Sequence, residues 1–125
     1  MTDAEVVVLP PYFTHIGIES QGEGDGLLSF REEIANSGGF IHGGALEALL
    51  NFTMLRTLHA IRPGLRCALV TITVNYLAPT KGPVLGTATV DRAGRNVVFM
   101  TARATTADKT VATGTAVFQL SERRS

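Results

Sequence analysis

Asn36-Ser-Gly-Gly-Phe-Ile-His-Gly-Gly-Ala-Leu-Glu-Ala-Leu-Leu-Asn51 runs a polar, glycine-dense loop directly into an apolar helix. Gly38, Gly39, Gly43 and Gly44 allow a tight turn and a close approach of ligand to backbone. The spacing predicts a helix over 43–60, ended by Arg62-Pro63-Gly64 because proline cannot continue the hydrogen-bond ladder. Leu46, Leu49, Leu50, Phe52, Leu55 and Leu58 surround most of its axis, and a helix apolar on nearly every side is buried on nearly every side. A chain of 125 residues must wrap such a helix in a sheet. The first N–H groups of the helix have no intrahelical acceptor, so they are suited to an oxyanion or an acyl carbonyl.

The second half supplies strands. Residues 68–77 alternate with period two, Ala68, Val70, Ile72, Val74 and Tyr76 on one phase and Leu69, Thr71, Thr73, Asn75 and Leu77 on the other. Further strands are predicted over 84–92, 96–106 and 110–120, joined by turns at Ala93-Gly94 and Ala107-Asp108-Lys109. Such short connections imply antiparallel neighbours. Upstream, 15–20 and 27–34 read as extended pieces around Gly22-Glu23-Gly24-Asp25-Gly26. That stretch has neither a following helix nor a lysine, so a β-turn describes it better than a phosphate loop. The order is β-β-α-β-β-β-β, an α+β domain over 12–120, with an N-terminal segment 1–11 set off by Pro10-Pro11 and a tail 121–125.

Composition narrows the function. Hydrophobic residues are 45% and charged residues 18%, as in a folded globular chain. Eleven basic and 11 acidic residues balance, which leaves no field to gather nucleic acid. Cys67 is the single cysteine, so no intrachain disulfide forms. Asp3 and Glu5 precede Val6-Val7-Val8-Leu9, a start without the basic flank or length of a signal peptide or membrane span, and a cytoplasmic protein is expected. His15, His42 and His59 are scattered without ligand spacing, so no metal site is expected.

The His42-Gly43-Gly44 motif resembles that of the PaaI-like thioesterases of the hot-dog fold superfamily, in which an antiparallel sheet wraps a long central helix. Asn75-Tyr76-Leu77-Ala78-Pro79, the Gly94-Arg95 hairpin and Val111-Ala112-Thr113-Gly114-Thr115 look like the same family, and the resemblance spans about residues 12–120. It implies hydrolysis of an acyl-CoA thioester without a separate cofactor, coenzyme A entering as part of the substrate. It also implies that the Gly43 N–H meets the thioester carbonyl, that His42 shapes the loop, and that Asn36 orients water or substrate. By its chemistry alone, His42 is either a brace or a base, and Asn36 would look the same if it only formed a turn.

Asn51 departs from the family. An Asp or Glu is usual nine residues after the histidine; a carboxylate attacks a thioester or takes a proton from water, whereas an amide does neither. An amide still orients water through its oxygen. Glu47, one turn earlier on the same face, is the nearby carboxylate, but its displacement of roughly 6 Å along the axis exceeds what near-attack geometry tolerates. Pairing across a subunit interface or facing water at the helix start accounts for it better. On the following strand the family often has Ser or Thr where this chain has Leu69, and Asp where it has Thr71; Thr71 or Thr73 either compensates from a neighbouring position or, the better reading, is an ordinary strand threonine. Arg95, Arg92 and Lys81, in or beside loops, are candidates for the phosphates of coenzyme A. Phe13, Phe40, Phe52, Met54 and Leu58 are candidates to line the acyl group.

Two functions follow, a thioesterase with an altered catalytic helix or a non-catalytic acyl-CoA-binding protein. A hydratase on the same fold would need a base arrangement for which no motif is present. In either case a homodimer, or a tetramer of paired dimers, is expected, because a sheet edge and an all-apolar helix call for a partner.

Overall fold

The structure is a computed structural model and describes residues 9–107 and 109–122. A short helix α1 (Pro11–His15) leads to a hairpin, β1 (Ile18–Gln21) and β2 (Asp25–Leu28). A single 3-10 turn over Glu32–Ile34 precedes the central helix α2 (Gly43–Ile61). Four long strands complete the chain: β3 (Leu65–Tyr76), β4 (Val84–Ala93), β5 (Val97–Thr106) and β6 (Lys109–Glu122). One antiparallel sheet in the order β1-β2-β4-β5-β6-β3 curls around α2. This is the hot-dog arrangement the sequence led us to expect.

The helix is buried as its composition predicts. Leu46, Leu49, Leu50, Phe52, Met54, Leu55 and Leu58 lie in the core against Leu28, Val84, Met100 and Phe118 of the sheet. The sheet approaches closely because glycine replaces side chains beneath the helix. Gly26 and Gly86 face each other in register. A Cβ on Gly86 would fall 2.5 Å from the Thr53 hydroxyl, and one on Gly26 would fall 2.8 Å from the Phe52 ring. Gly26 therefore belongs to β2, not to the preceding turn, and marks a close approach of helix to strand.

Three local expectations change. His15 ends α1 instead of starting a strand, because Pro11 favours the first turn of a helix and Phe13 buries its ring edge-on against Phe52, 5.5 Å between centroids. The second extended piece stops at Leu28, and residues 32–34 coil into the 3-10 turn. The alternation of β3 is interrupted: Leu69 pairs with Phe118 and Thr71 with Val117, so Val70 is an extra, bulged residue. A bulge reverses the phase of everything after it. Leu65 and Cys67 face the helix before it, Ile72 and Val74 after it. β3 is also an edge strand, 12 residues long, with Val70 61% exposed and Leu69, Tyr76 and Leu77 exposed beside it. Gly43, Glu47 and Asn51 line the seam between this edge and α2.

Candidate functional site

The loop ahead of α2 is pinned from several directions. Asn36 Oδ1 accepts the N–H groups of Gly38 and Phe40 at 2.9 and 3.0 Å, and its own N–H donates to the Phe40 carbonyl at 2.7 Å. Gly39 turns the chain at φ +83°, a left-handed conformation suited to glycine. The Ile41 N–H donates to the Thr80 carbonyl at 2.9 Å and the His42 N–H to the Ile34 carbonyl at 2.7 Å. Asn36 is thus a turn former, and only its NH₂ remains to face a ligand.

His42 is the N-cap of α2. Its Nδ1 accepts the Gly44 N–H at 2.8 Å. An imidazole nitrogen that accepts a hydrogen bond carries no proton, so the neutral ring holds its proton on Nε2 and offers a donor there. The Ala45 N–H donates to the His42 carbonyl. No hydrogen bond among the described residues engages the Gly43 N–H.

The reason for the paired glycines differs from the one expected. Neither Gly43 nor Gly44 has positive φ. They are small because rings lie on both sides: a Cβ on Gly43 would be 3.0 Å from the Tyr76 ring, and one on Gly44 would be 3.2 Å from His42 Nδ1. The Tyr76 hydroxyl donates to the Gly43 carbonyl at 3.1 Å. Burial, and secondarily the negative charge of Glu47, raise the Tyr76 phenol above its ordinary value, so it is held as the donor.

Two clefts open along the seam of α2 and β3. One, of about 340 Å³, holds Asn36, Gly43 and Tyr76 with Ile41, Leu46 and Leu77. The other, of about 450 Å³, holds Glu47 and Asn51 with Gly44, Tyr12, Phe13, Leu69 and Ile72. Asn51 Oδ1 is buried in the protomer and has no hydrogen-bond partner. Leu69 and Ile72, the strand residues lining its cleft, are hydrocarbon and cannot donate to it. Glu47 is exposed, and among the described residues it is the one carboxylate lining either cleft.

Other candidates lie elsewhere. Thr71 and Thr73 line a groove on the outer face of the sheet with Asp91 and Phe99, so the bulge removes them from the Asn51 cleft. Lys81 sits over the Phe40 ring, its ammonium 5.8 Å from the centroid, beside the helix entrance. Arg92 ends up in β4 and Arg95 in the β4–β5 turn, where the Gly94 carbonyl accepts from Arg62 at the far end of α2. That end is roughly 27 Å from Gly43 along the helix axis, so one protomer does not bring these arginines to its own Gly43. Phe52, Met54 and Leu58 belong to the core, while Phe13 does line a cleft. Tyr12, Ile72 and Tyr76 were not foreseen as site residues; Tyr76 stood in the quoted strand motif, but nothing in the sequence placed its ring on Gly43. Among the described residues no three His, Cys, Asp or Glu side chains gather as metal ligands, and no helix is long and apolar enough to cross a membrane.

A sheet curled around one helix, with a capped glycine pair at the helix start and clefts along the open edge, defines a hot-dog-fold protein of the thioesterase class. The family profile described as the acyl-CoA thioesterase N-terminal domain matches residues 31–119, and the chain belongs to this hot-dog thioesterase family. A conserved protein of Pseudomonas aeruginosa is similar at 27% identity, with 90% of this chain and 95% of that one covered and a TM-score of 0.83. A Bacillus halodurans protein whose structure was solved with CoA shares 22% identity over 91% and 78% of the two chains, TM-score 0.83. The phenylacetic acid degradation protein PaaI of Thermus thermophilus has the same fold at 17% identity, with 88% and 98% covered and a TM-score of 0.74. No curated protein resembles the chain at a significant level of sequence similarity.

Proposed function

We propose that the protein hydrolyses an acyl-CoA thioester in a site completed by two copies of the chain. The observation that carries this reading is the Gly43 N–H, unpaired at the positive end of a 19-residue helix and open to a cleft. There it donates to the thioester oxygen as negative charge develops on it. Asn51 lies eight residues further along, roughly 12 Å by helical rise, too far for both to touch one carbonyl group. The two halves that meet at a substrate therefore come from different protomers. Antiparallel pairing of β3 with a second β3 would cover the exposed edge and bring Gly43 of one copy toward Glu47 and Asn51 of the other.

In this arrangement the orphaned Asn51 Oδ1 accepts a proton-bearing bond from water and aims its oxygen at the carbonyl carbon. Glu47 takes the water's other proton as the C–O bond forms. Collapse of the tetrahedral intermediate breaks the C–S bond, and the proton passes to the departing thiolate. The products are a carboxylic acid and free coenzyme A. His42 is not the base, because its Nδ1 is committed to the Gly44 N–H; it steadies the entrance and presents a donor. In this reading Lys81 at the entrance meets the nucleotide phosphates, and antiparallel pairing would bring the second copy's Arg92 and Arg95 toward the same end. The CoA-bound relative from Bacillus halodurans supports coenzyme A as the carrier.

A panel of acyl-CoAs assayed for released thiol tests the reading; turnover above buffer on at least one member is expected, and none with folded dimer present would overturn it. The amide at Asn51 and the hydrocarbon of Leu69 favour a second reading, binding without hydrolysis. Under it, calorimetry gives saturable acyl-CoA binding while the same mixture releases no thiol.

A further inference from the structure

The peptide unit joining Gly43 to Gly44 is held at both ends. Its carbonyl oxygen accepts from the Tyr76 hydroxyl at 3.1 Å, and its N–H donates to His42 Nδ1 at 2.8 Å. The same two groups limit it sterically, the Tyr76 ring 3.0 Å from where a Cβ on Gly43 would sit and the imidazole 3.2 Å from one on Gly44. His42 is contiguous with the glycines, but Tyr76 comes from the end of β3, 33 residues away. The strand thus reaches across the seam to grip the first peptide of the helix.

We propose that Tyr76 is a positioning residue for thioester hydrolysis: opposite His42, it clamps the Gly43–Gly44 peptide and so keeps the neighbouring Gly43 N–H turned toward the substrate carbonyl. The inference rests on the reading of Gly43 as the thioester contact. The Gly43 N–H belongs to the preceding peptide, whose His42 carbonyl accepts from the Ala45 and Leu46 N–H groups at 2.9 and 3.2 Å; with the following peptide also fixed, that N–H has little freedom about the Gly43 backbone torsions. Fixed dipoles stabilise developing charge because they need no reorganisation when the transition state forms. Glycine at 43 has no side chain of its own to restrict those torsions. A clamp supplied by a side chain restores rigidity without adding a Cβ that would crowd the ring.

The hydroxyl and the ring are separable. Tyr76→Phe keeps the ring against Gly43 and removes the donor. Loss of one such hydrogen bond is expected to speed amide exchange at Gly44 by about three- to tenfold. It should lower kcat by a similar factor and leave KM within about twofold, because the clamp acts when charge develops and not when the nucleotide binds. Exchange at Gly44 unchanged in Tyr76→Phe would overturn the clamp, and faster exchange with unchanged kcat would overturn its part in hydrolysis. An equal loss through KM alone would make Tyr76 a binding wall and would also overturn it.

A readout independent of turnover separates this inference from the thioesterase reading. A coenzyme A ketone, with the thioester sulfur replaced by CH₂, keeps the carbonyl and cannot be hydrolysed. In the wild-type protein it should move the Gly43 amide proton resonance downfield; in Tyr76→Phe that displacement should shrink. If the wild type releases no thiol from any acyl-CoA yet shows this difference, hydrolysis fails and the clamp stands as a carbonyl-binding device. If the ketone binds and the Gly43 resonance does not move, the clamp has no carbonyl to serve and the inference falls.

Discussion

Asn51→Asp probes the cleft most directly, because it changes one heavy atom at a position whose surroundings are defined. Oδ1 of Asn51 is buried without a partner, and Leu69 and Ile72 close the strand side of its cleft. A carboxylate there loses hydration and gains no donor, so its pKa rises above the ordinary aspartate range. A raised aspartate stabilises the fold only while it stays protonated. Relative to wild type, the variant should match it in acid below the pKa of an unfolded aspartate and lose stability as pH rises through the folded value. The loss at neutral pH should be about 1.4 kcal/mol for each unit by which burial raises the carboxyl above its unfolded value. Under the proposed mechanism the same change supplies a base to the attacking water, and a well-placed general base contributes about 10²–10⁴-fold. Thiol release against pH should therefore show a new ascending limb in kcat, displaced upward from the ordinary carboxylate range, together with urea midpoints that fall across the same interval. If urea midpoints stay parallel to wild type from acid to neutral pH, the cleft solvates a carboxylate at position 51 as well as bulk water does, and the seclusion argued from the buried Oδ1 is wrong. A folded dimer with a normal coenzyme A affinity and no ascending limb would remove Asn51 from the reaction.

Glu47→Gln should lower kcat at least tenfold while coenzyme A affinity stays within about twofold, given what a general base contributes. In a Tyr12→Phe background, where Tyr76 is the one tyrosine left, phenolate absorbance should appear at lower pH after Glu47→Gln, since the repelling charge is gone. Stability linked to Tyr76 is present below pH 10.0, the phenol's ordinary value, and is lost as pH climbs through the raised folded value; an unchanged titration would show that Glu47 does not face the phenol. Gly86→Ala should cost about 1–3 kcal/mol in urea unfolding, the usual penalty of overpacking, because its Cβ would fall 2.5 Å from the Thr53 hydroxyl; a loss below about 0.5 kcal/mol would mean that helix and sheet separate easily. Val70→Lys places a charge on the exposed edge of β3, and light scattering should show the dimer mass halve as thiol release disappears; a wild-type mass equal to one chain would refute the two-copy site.

Much of the molecule is legible in order along the chain. The apolar run from Leu46 to Leu58 announced a buried helix because hydrophobic residues fall on every side of it, and Pro63-Gly64 announced its end. The hairpins of the second half were legible because alternation and turn residues are local signals. The candidate site was legible as positions on the helix: His42, Gly43, Glu47 and Asn51 all lie where helical spacing places them. The fate of Thr71 and Thr73 was not, because Val70 and its neighbours are good strand residues in either phase and nothing in their identity marks the bulge. Gly26 read as a turn for a similar reason; its meaning comes from Phe52 and from Gly86, 60 positions away.

Local chemistry along the chain determined the element order, the burial of α2 and its start at the glycine pair. Spacing and turn residues act over a few positions, and those distances are preserved in the fold. Tertiary structure alone decided that the Tyr76 ring and hydroxyl lie against Gly43 and that Asn51 Oδ1 is buried without a partner. Each of these depends on which strand residue meets which turn of the helix. That meeting is set by the register of β3 and the phase reversal at Val70, so it arises only when the sheet closes around α2.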